Sequence, residues 1–275
     1  FSKGSVVGNI MGMAIPMTAA QLINLLYNVV DRIYIGYIPE HATLSLTGLG
    51  VCLPVITAVM AFANLFGMGG APLCSIERGR GNQKEAEAIM GNAFTLMVIC
   101  GILLTILGIV FRRPLLYLFG ASDSTYPYAE SYMTIYLLGS VFVMMGLGMN
   151  AFINSQGFGR IGMQTVLLGA VANIILDPVF IFGFRMDVRG AALATIISQF
   201  LSAAWVLRFL FSDRSILRLK RETMMLKKAR VLKIVSMGMS SFAAGFTNSV
   251  VAVACNATLQ TWGGDLYVGV MTVIH

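Results

Sequence analysis

The sequence predicts an all-α membrane protein, a polytopic helical bundle, and three observations carry that prediction. Charged residues make up 11% of the 275 positions and apolar ones 57%, whereas an ordinary soluble domain is about 25% charged. The apolar positions gather into long runs almost free of charge. Polar and charged residues collect in the short stretches between those runs. A soluble fold of this size needs a polar skin, and this chain has too few charges to make one.

Seven runs have the length a membrane crossing needs, about 20 predominantly apolar residues. They are residues 4–30, 41–76, 88–111, 131–159, 161–184, 190–207 and 234–264, and an eighth opens at Leu266. Asp177 is the only interruption of the fifth. Helices and closed barrels alone satisfy their backbone in lipid. These runs are too long and uniform for barrel strands, so they are expected to be helices. Between them, residues 77–84 separate spans two and three. Arg112, Arg113 and Pro114 end span three, because proline cannot continue a helix comfortably. A turn at residues 156–160 precedes span five.

Orientation follows from the basic residues. Lys3, the 77–84 loop, Arg160 and the stretch 208–233 hold fourteen Lys and Arg, while the opposite loops hold five. The richer side is expected to be cytoplasmic, and the net charge of +7 is explained this way rather than by nucleic acid. Residues 212–233, the longest polar stretch, read as a cytoplasmic basic linker. It reads either as a partly amphipathic surface helix or, more simply, as a solvated loop that only sets topology. The linker divides the chain into a lobe over 1–211 and the start of a second over 234–275. An offset of 224 positions pairs Met13, Ala19, Ala20 and Asn24 with Met237, Ala243, Ala244 and Asn248, as an internal repeat would. At that offset Asp31 falls on Cys255. The chain begins at Phe1 and stops at His275 inside an apolar run, so it is expected to be part of a longer protein.

Several chemistries find no support. Cys52, Cys74, Cys100 and Cys255 sit in apolar runs without metal-ligand spacing, so neither a disulfide nor a zinc site is expected. His41 and His275 are far apart, and there is no HExxH. No Ser/His pair lies within the spans. An enzyme is therefore not expected, and no cofactor.

Charges within apolar spans are costly and mark function by default. Asp31 ends a stretch of 27 uncharged residues. Asp177 stands inside span five, and Asn173, four residues earlier, shares its helix face. A carboxylate and an amide on one face suit a proton or a small hard cation such as Na⁺. The competing readings are an interfacial Asp31 beside Arg32, and an Asp177 that pairs internally. Gln21, Asn24, Asn28, Asn150, Asn154 and Thr195 are polar groups in apolar surroundings. Singly, each reads best as an interhelical hydrogen bond; together they suggest a polar patch inside the bundle. Pro16 breaks the hydrogen-bond ladder of span one. It reads equally as a static kink or as a conformational hinge that reorients Asp31. The 18 methionines read mainly as lipid-facing or core filler.

These residues resemble a family. The segments IPMTAAQLINLLYNVVDRIYIG (15–36), ATLSLTGLGVCLPV (42–55) and INSQGFGRIGMQTVLLGAVANIILDPVFIFGFRMDVRGAALATIISQ (153–199) are similar to the multidrug and toxic compound extrusion (MATE) transporters. NIILDP (173–178) and RGAALAT (189–195) are the most specific parts. The resemblance implies a two-lobe protein of about twelve helices, of which this chain is the six-helix N-terminal lobe and the start of the next. It implies a monomer when full length, in a bacterial or archaeal cytoplasmic membrane, exporting organic cations in exchange for H⁺ or Na⁺. Carried over by motif, Asp31, Asn173, Asp177 and Thr195 form a cation site, with Asn150 matching a polar position of span four. A flippase for lipid-linked precursors is the nearest alternative. It would need basic residues within its cavity, whereas here the spans carry carboxylates.

Overall fold

The computed structural model describes residues 6–38 and 42–274. Lys3, His41 and His275, and the first residues of the runs at 4–30 and 41–76, lie outside the described residues. Within them the chain is helical, with no strand. The helices are α1 (Val6–Gly36), α2 (Ala42–Gly79), α3 (Gln83–Val110), α4 (Arg112–Leu118), α5 (Tyr126–Leu138), α6 (Ser140–Ser155), α7 (Gly159–Pro178), α8 (Asp187–Phe211) and α9 (Lys228–Ile274). Among the described residues six are long and apolar enough to cross a membrane, and the bent pair α5–α6 is together long and apolar enough for a seventh.

Local chemistry sets the boundaries. Gly81 takes φ +79°, open to glycine at no steric cost, and Asn82 caps α3 by accepting from the Glu85 N–H at 3.3 Å. Pro127 opens α5 in the first turn, where its missing N–H costs nothing. Helix α9 breaks at Gly264, whose φ of 66° and ψ of −166° are non-helical. This is the boundary expected between spans seven and eight.

The fourth apolar run differs from its sequence reading. Read as one span over 131–159, it is two helices that meet at Gly139 with a bend of 55°. A Cβ at Gly139 would run into the Ile196 side chain of α8. The need for a small residue at the bend thus comes from a helix more than fifty residues later, which no local pattern reveals.

Helix α2 sits at the centre, packed by α3, α5, α6 and, along its length, α9. Small residues let the backbones approach, as is usual between membrane helices. Cβ atoms on Gly69 and Gly238 would strike the carbonyls of Ile234 and Leu65 across the α2–α9 seam. The core between them holds Phe66, Met90, Met97, Met149 and Phe152. Helix α3 turns Ile99, Ile102, Leu103, Ile106, Leu107 and Val110 outward. That is a helical stripe with nothing polar on it, as expected of a face turned to lipid. Helix α1 packs chiefly along α7 and leaves most of its apolar side exposed.

The basic loops converge at one end. Arg78 donates to the Ser155 carbonyl at 3.4 Å, and Gln83 to the Ile216 carbonyl at 2.9 Å. The linker over 212–227 is not a free solvated loop: its own Ser215, Leu217 and Leu219 are buried against the bundle. At the other end Asp265 accepts from Ser122 at 3.0 Å and Ser124 at 2.8 Å, closing the loop before α5 onto the break in α9.

Candidate cation site and cavity

Helix α7 carries Asn173 and Asp177 one turn apart, and both are buried. The Asn173 amide donates to Asp177 Oδ1 at 3.2 Å. Directly after them Pro178 lacks the N–H that would continue the ladder, and Val179–Gly183 form a π turn. Such turns are rare and recur at functional sites. Helix α1 brings Asp31 alongside, within hydrogen-bonding reach of Asp177. Asp31 is partly buried and faces this carboxylate across the α1–α7 contact. Arg32 is the nearby positive charge.

Three oxygens of this cluster are shielded from solvent and have no partner: Asp31 Oδ1, Asp177 Oδ2 and Asn173 Oδ1. Buried acceptors are nearly always paired. Two carboxylates side by side in a low-dielectric site repel strongly unless a proton or a cation sits with them. The arrangement offers oxygen ligands of the kind that suits small hard cations, and acceptor positions for a proton. Among the described residues no group of three or more His, Cys, Asp or Glu side chains could hold a metal ion.

Tyrosines complete the cluster, and sequence reasoning missed them. Tyr27 lies one turn before Asp31 and is close to both carboxylates. Tyr132 of α5 lies near Asp31 and within hydrogen-bonding reach of Thr195 on α8. Its ring stacks on Tyr136 with centroids 6.1 Å apart, and the Tyr136 hydroxyl is buried without a partner. The signal available was spacing, since Tyr27–Asp31 and Tyr132–Tyr136 are both four apart.

Beside the cluster is a cavity of about 690 Å³. Tyr27, Asn173 and Thr195 belong to its wall as well as to the carboxylate cluster. The rest of the wall is mostly apolar, built from Gly, Ala, Val, Leu and Met residues, and is dotted with amides such as Gln21, Asn24, Asn64 and Gln199, with no Lys or Arg among the described residues. The polar patch expected from the sequence is thus real, and several methionines face the cavity rather than lipid. Asn28 turns back to bond the Asn24 carbonyl at 2.7 Å. Asn150 lines the cavity but stands apart from the carboxylates. Its amide bonds the Gly162 carbonyl at 3.3 Å, and Gly162 is eleven residues, about 16 Å of helix rise, from Asn173. Pro16 is buried in a helix that runs on through it as one element. Cys255, the repeat partner of Asp31, borders a small gap among Leu53, Val251 and Met271.

Comparison with known proteins fits this geometry, for the MatE family profile matches residues 16–179. The chain belongs to the MatE family. The Multidrug export protein MepA of Staphylococcus saprophyticus subsp. saprophyticus is 26% identical over 263 residues, 96% of this chain and 58% of that protein. The same-named protein of Staphylococcus aureus strain MRSA252 is 24% identical with the same coverage. A solved structure of the MATE multidrug transporter DinF-BH superposes with a TM-score of 0.90 at 31% identity. It covers 98% of this chain and 60% of that one. An inward-facing MATE family transporter of the MOP superfamily gives a TM-score of 0.85 at 24% identity, covering 96% and 60%, and supports the fold. The chain spans about three fifths of the length of the relatives it matches. As a MatE chain it is a multi-pass membrane protein, and the family is one of transporters rather than enzymes.

Proposed function

We propose that the protein of which this chain is part exports organic cations by alternating access, driven by H⁺ or Na⁺ moving the other way. The single observation that supports this best is the pair Asp31–Asp177, with its unpartnered oxygens, behind Asn173 and Thr195 of a cavity whose described lining holds no basic side chain. Asn173 and Thr195 supply further oxygens to the ion, and Asn150 serves the cavity. When a cation or proton binds, the repulsion between the carboxylates is relieved, and α1 repacks against α7 by bending at Pro16. Coupling requires that the ion bind the two states with different affinity, and repacking of α1 supplies that difference. Residues 1–211 act as one lobe, 212–233 as the connection and 234–275 as the beginning of the other lobe, in a monomer. The resemblance to proteins named for multidrug export supports the cargo class, and the lack of basic residues along the described cavity wall argues against phosphate-bearing lipid precursors.

The test uses the full-length protein in sealed vesicles loaded with a fluorescent organic cation, with a proton or a sodium gradient imposed separately. Accelerated export under one gradient and not the other supports antiport and names the ion. Export indifferent to both gradients would sink it.

A further inference from the structure

The segment between α8 and α9 is a fixed strap. Its residues alternate: Ser215, Leu217 and Leu219 point inward, while Arg214, Ile216, Arg218 and Lys220 are exposed. This period of two is that of an extended chain lying on a surface. Buried side chains from α3 and the end of α6 hold it down. Gln156 Oε1 accepts from the Leu217 N–H at 2.8 Å and from the Ser215 hydroxyl at 3.0 Å. Glu87, 6% exposed, pairs with Lys220 at 2.8 Å and accepts from the Arg218 N–H at 3.3 Å. Asn92 donates to the carbonyls of Thr223 at 3.1 Å and Met225 at 2.9 Å, and accepts from the Lys227 N–H at 2.9 Å. Thr95 donates to the Met224 carbonyl at 2.8 Å. At Gly91 a Cβ would collide with the Thr223 carbonyl, so the strap lies directly on the α3 backbone.

The face turned away from the protein is mainly basic and apolar, with Asp213, paired to Arg218, and Glu222 as its exposed acids. Arg214, Arg221, Lys227, Lys228 and Lys233 are exposed and have no acid within ion-pair distance among the described residues. Between them Met225 is 75% exposed and Leu226 43%. The strap starts at the end of one membrane helix, Phe211, and finishes at the start of the next, Lys228. It therefore lies next to the ends of two membrane helices, on the side where the basic loops gather.

We infer that this strap is a docking surface for the headgroups of anionic phospholipids in the leaflet it touches. The unpaired cations take the phosphates, and Met225 and Leu226 enter the acyl boundary. Topology alone needs only charge on one side. It does not need backbone carbonyls and amides pinned by buried Asn, Gln and Glu, with each cation held at a set position. Pinning lowers the ordering cost of binding, and basic clusters beside membrane helices attract anionic lipid.

The test is independent of transport. Full-length protein in a neutral detergent is titrated with phosphatidylglycerol or phosphatidylcholine in mixed micelles, reading apparent affinity and thermal midpoint. Phosphatidylglycerol is expected to bind and stabilise more than phosphatidylcholine, less so as salt rises. The triple variant Arg221→Gln, Lys227→Gln, Lys228→Gln is expected to lose roughly fivefold or more of that preference, while Arg113→Gln at the other end keeps it. Asn92→Ala leaves every charge in place and is expected to reduce the preference by freeing the strap; if it does not fold, Thr95→Val serves. Equal binding of the two lipids overturns the inference. So does an unchanged preference in the triple variant, or full competition by inorganic phosphate at equal charge concentration, which would mark a site for a soluble anion.

Discussion

Asn92 and Asn173 are both buried asparagines on membrane helices, and they are used in opposite ways. Asn92 shares its N–H groups among the carbonyls of Ala88, Thr223 and Met225, and its oxygen accepts from Lys227. Asn173 makes one bond, to Asp177, and its oxygen is left open in a buried site, next to the open oxygens of Asp31 and Asp177. The strap end spends its buried polar groups on protein partners. The cavity side withholds them. An unsatisfied buried acceptor is expensive, so a cluster of them is tolerated where something else comes to fill it. Partner count, rather than polarity, separates the residues that hold this fold from those that await a ligand.

The largest effect should come from removing the unfilled carboxylate. Asp177→Asn is expected to lower gradient-driven export by at least roughly tenfold, within the range of coupling energies. Its thermal midpoint should be unchanged or higher, because an uncompensated buried charge is lost. Full ion-driven export by this variant would make Asp177 structural. The opposite pattern is expected for Asn92→Ala, where several satisfied bonds disappear together. Stability should fall by about 2–3 kcal/mol, read as a lower midpoint in detergent, while export per folded molecule keeps its dependence on the ion gradient. A variant that is fully stable yet uncoupled would erase the contrast. Thr195→Ala sharpens it at the smallest scale. Loss of one neutral oxygen at the edge of the cluster should weaken the apparent affinity for the coupling ion by roughly 2- to 10-fold, with stability little changed; no shift in ion affinity would remove Thr195 from the site.

The helices were legible because membrane spans declare themselves by composition. Runs without charge at residues 88–111 or 190–207 leave no other solution in lipid. Asn173 and Asp177 were legible because one turn of helix puts them on one face, and Asp31 because it ends an uncharged run. The family resemblance is borne out by the match over residues 16–179, which contains NIILDP, while RGAALAT lies just beyond it. The bend at Gly139 was not legible, since the residue that forbids a side chain there is Ile196 on α8. Tyr132 was passed over because its partners, Asp31 and Thr195, come from helices far away in the chain. The strap read as a loop because its pins, Glu87, Asn92 and Gln156, look like ordinary helix residues until the segment some 60 to 130 positions later lies on them.

By itself, then, the sequence determined the solvent of this protein, the approximate placement of its apolar helices, and the chemical character of the carboxylates placed within them. These depend on local composition and on the free energy of moving each stretch from water into lipid. Only the tertiary structure decided which oxygens stay empty, which tyrosines join them and which basic residues are fixed in place. Those are properties of contacts between distant segments, and a hydrogen bond is made or withheld according to where the backbone of another helix comes to rest.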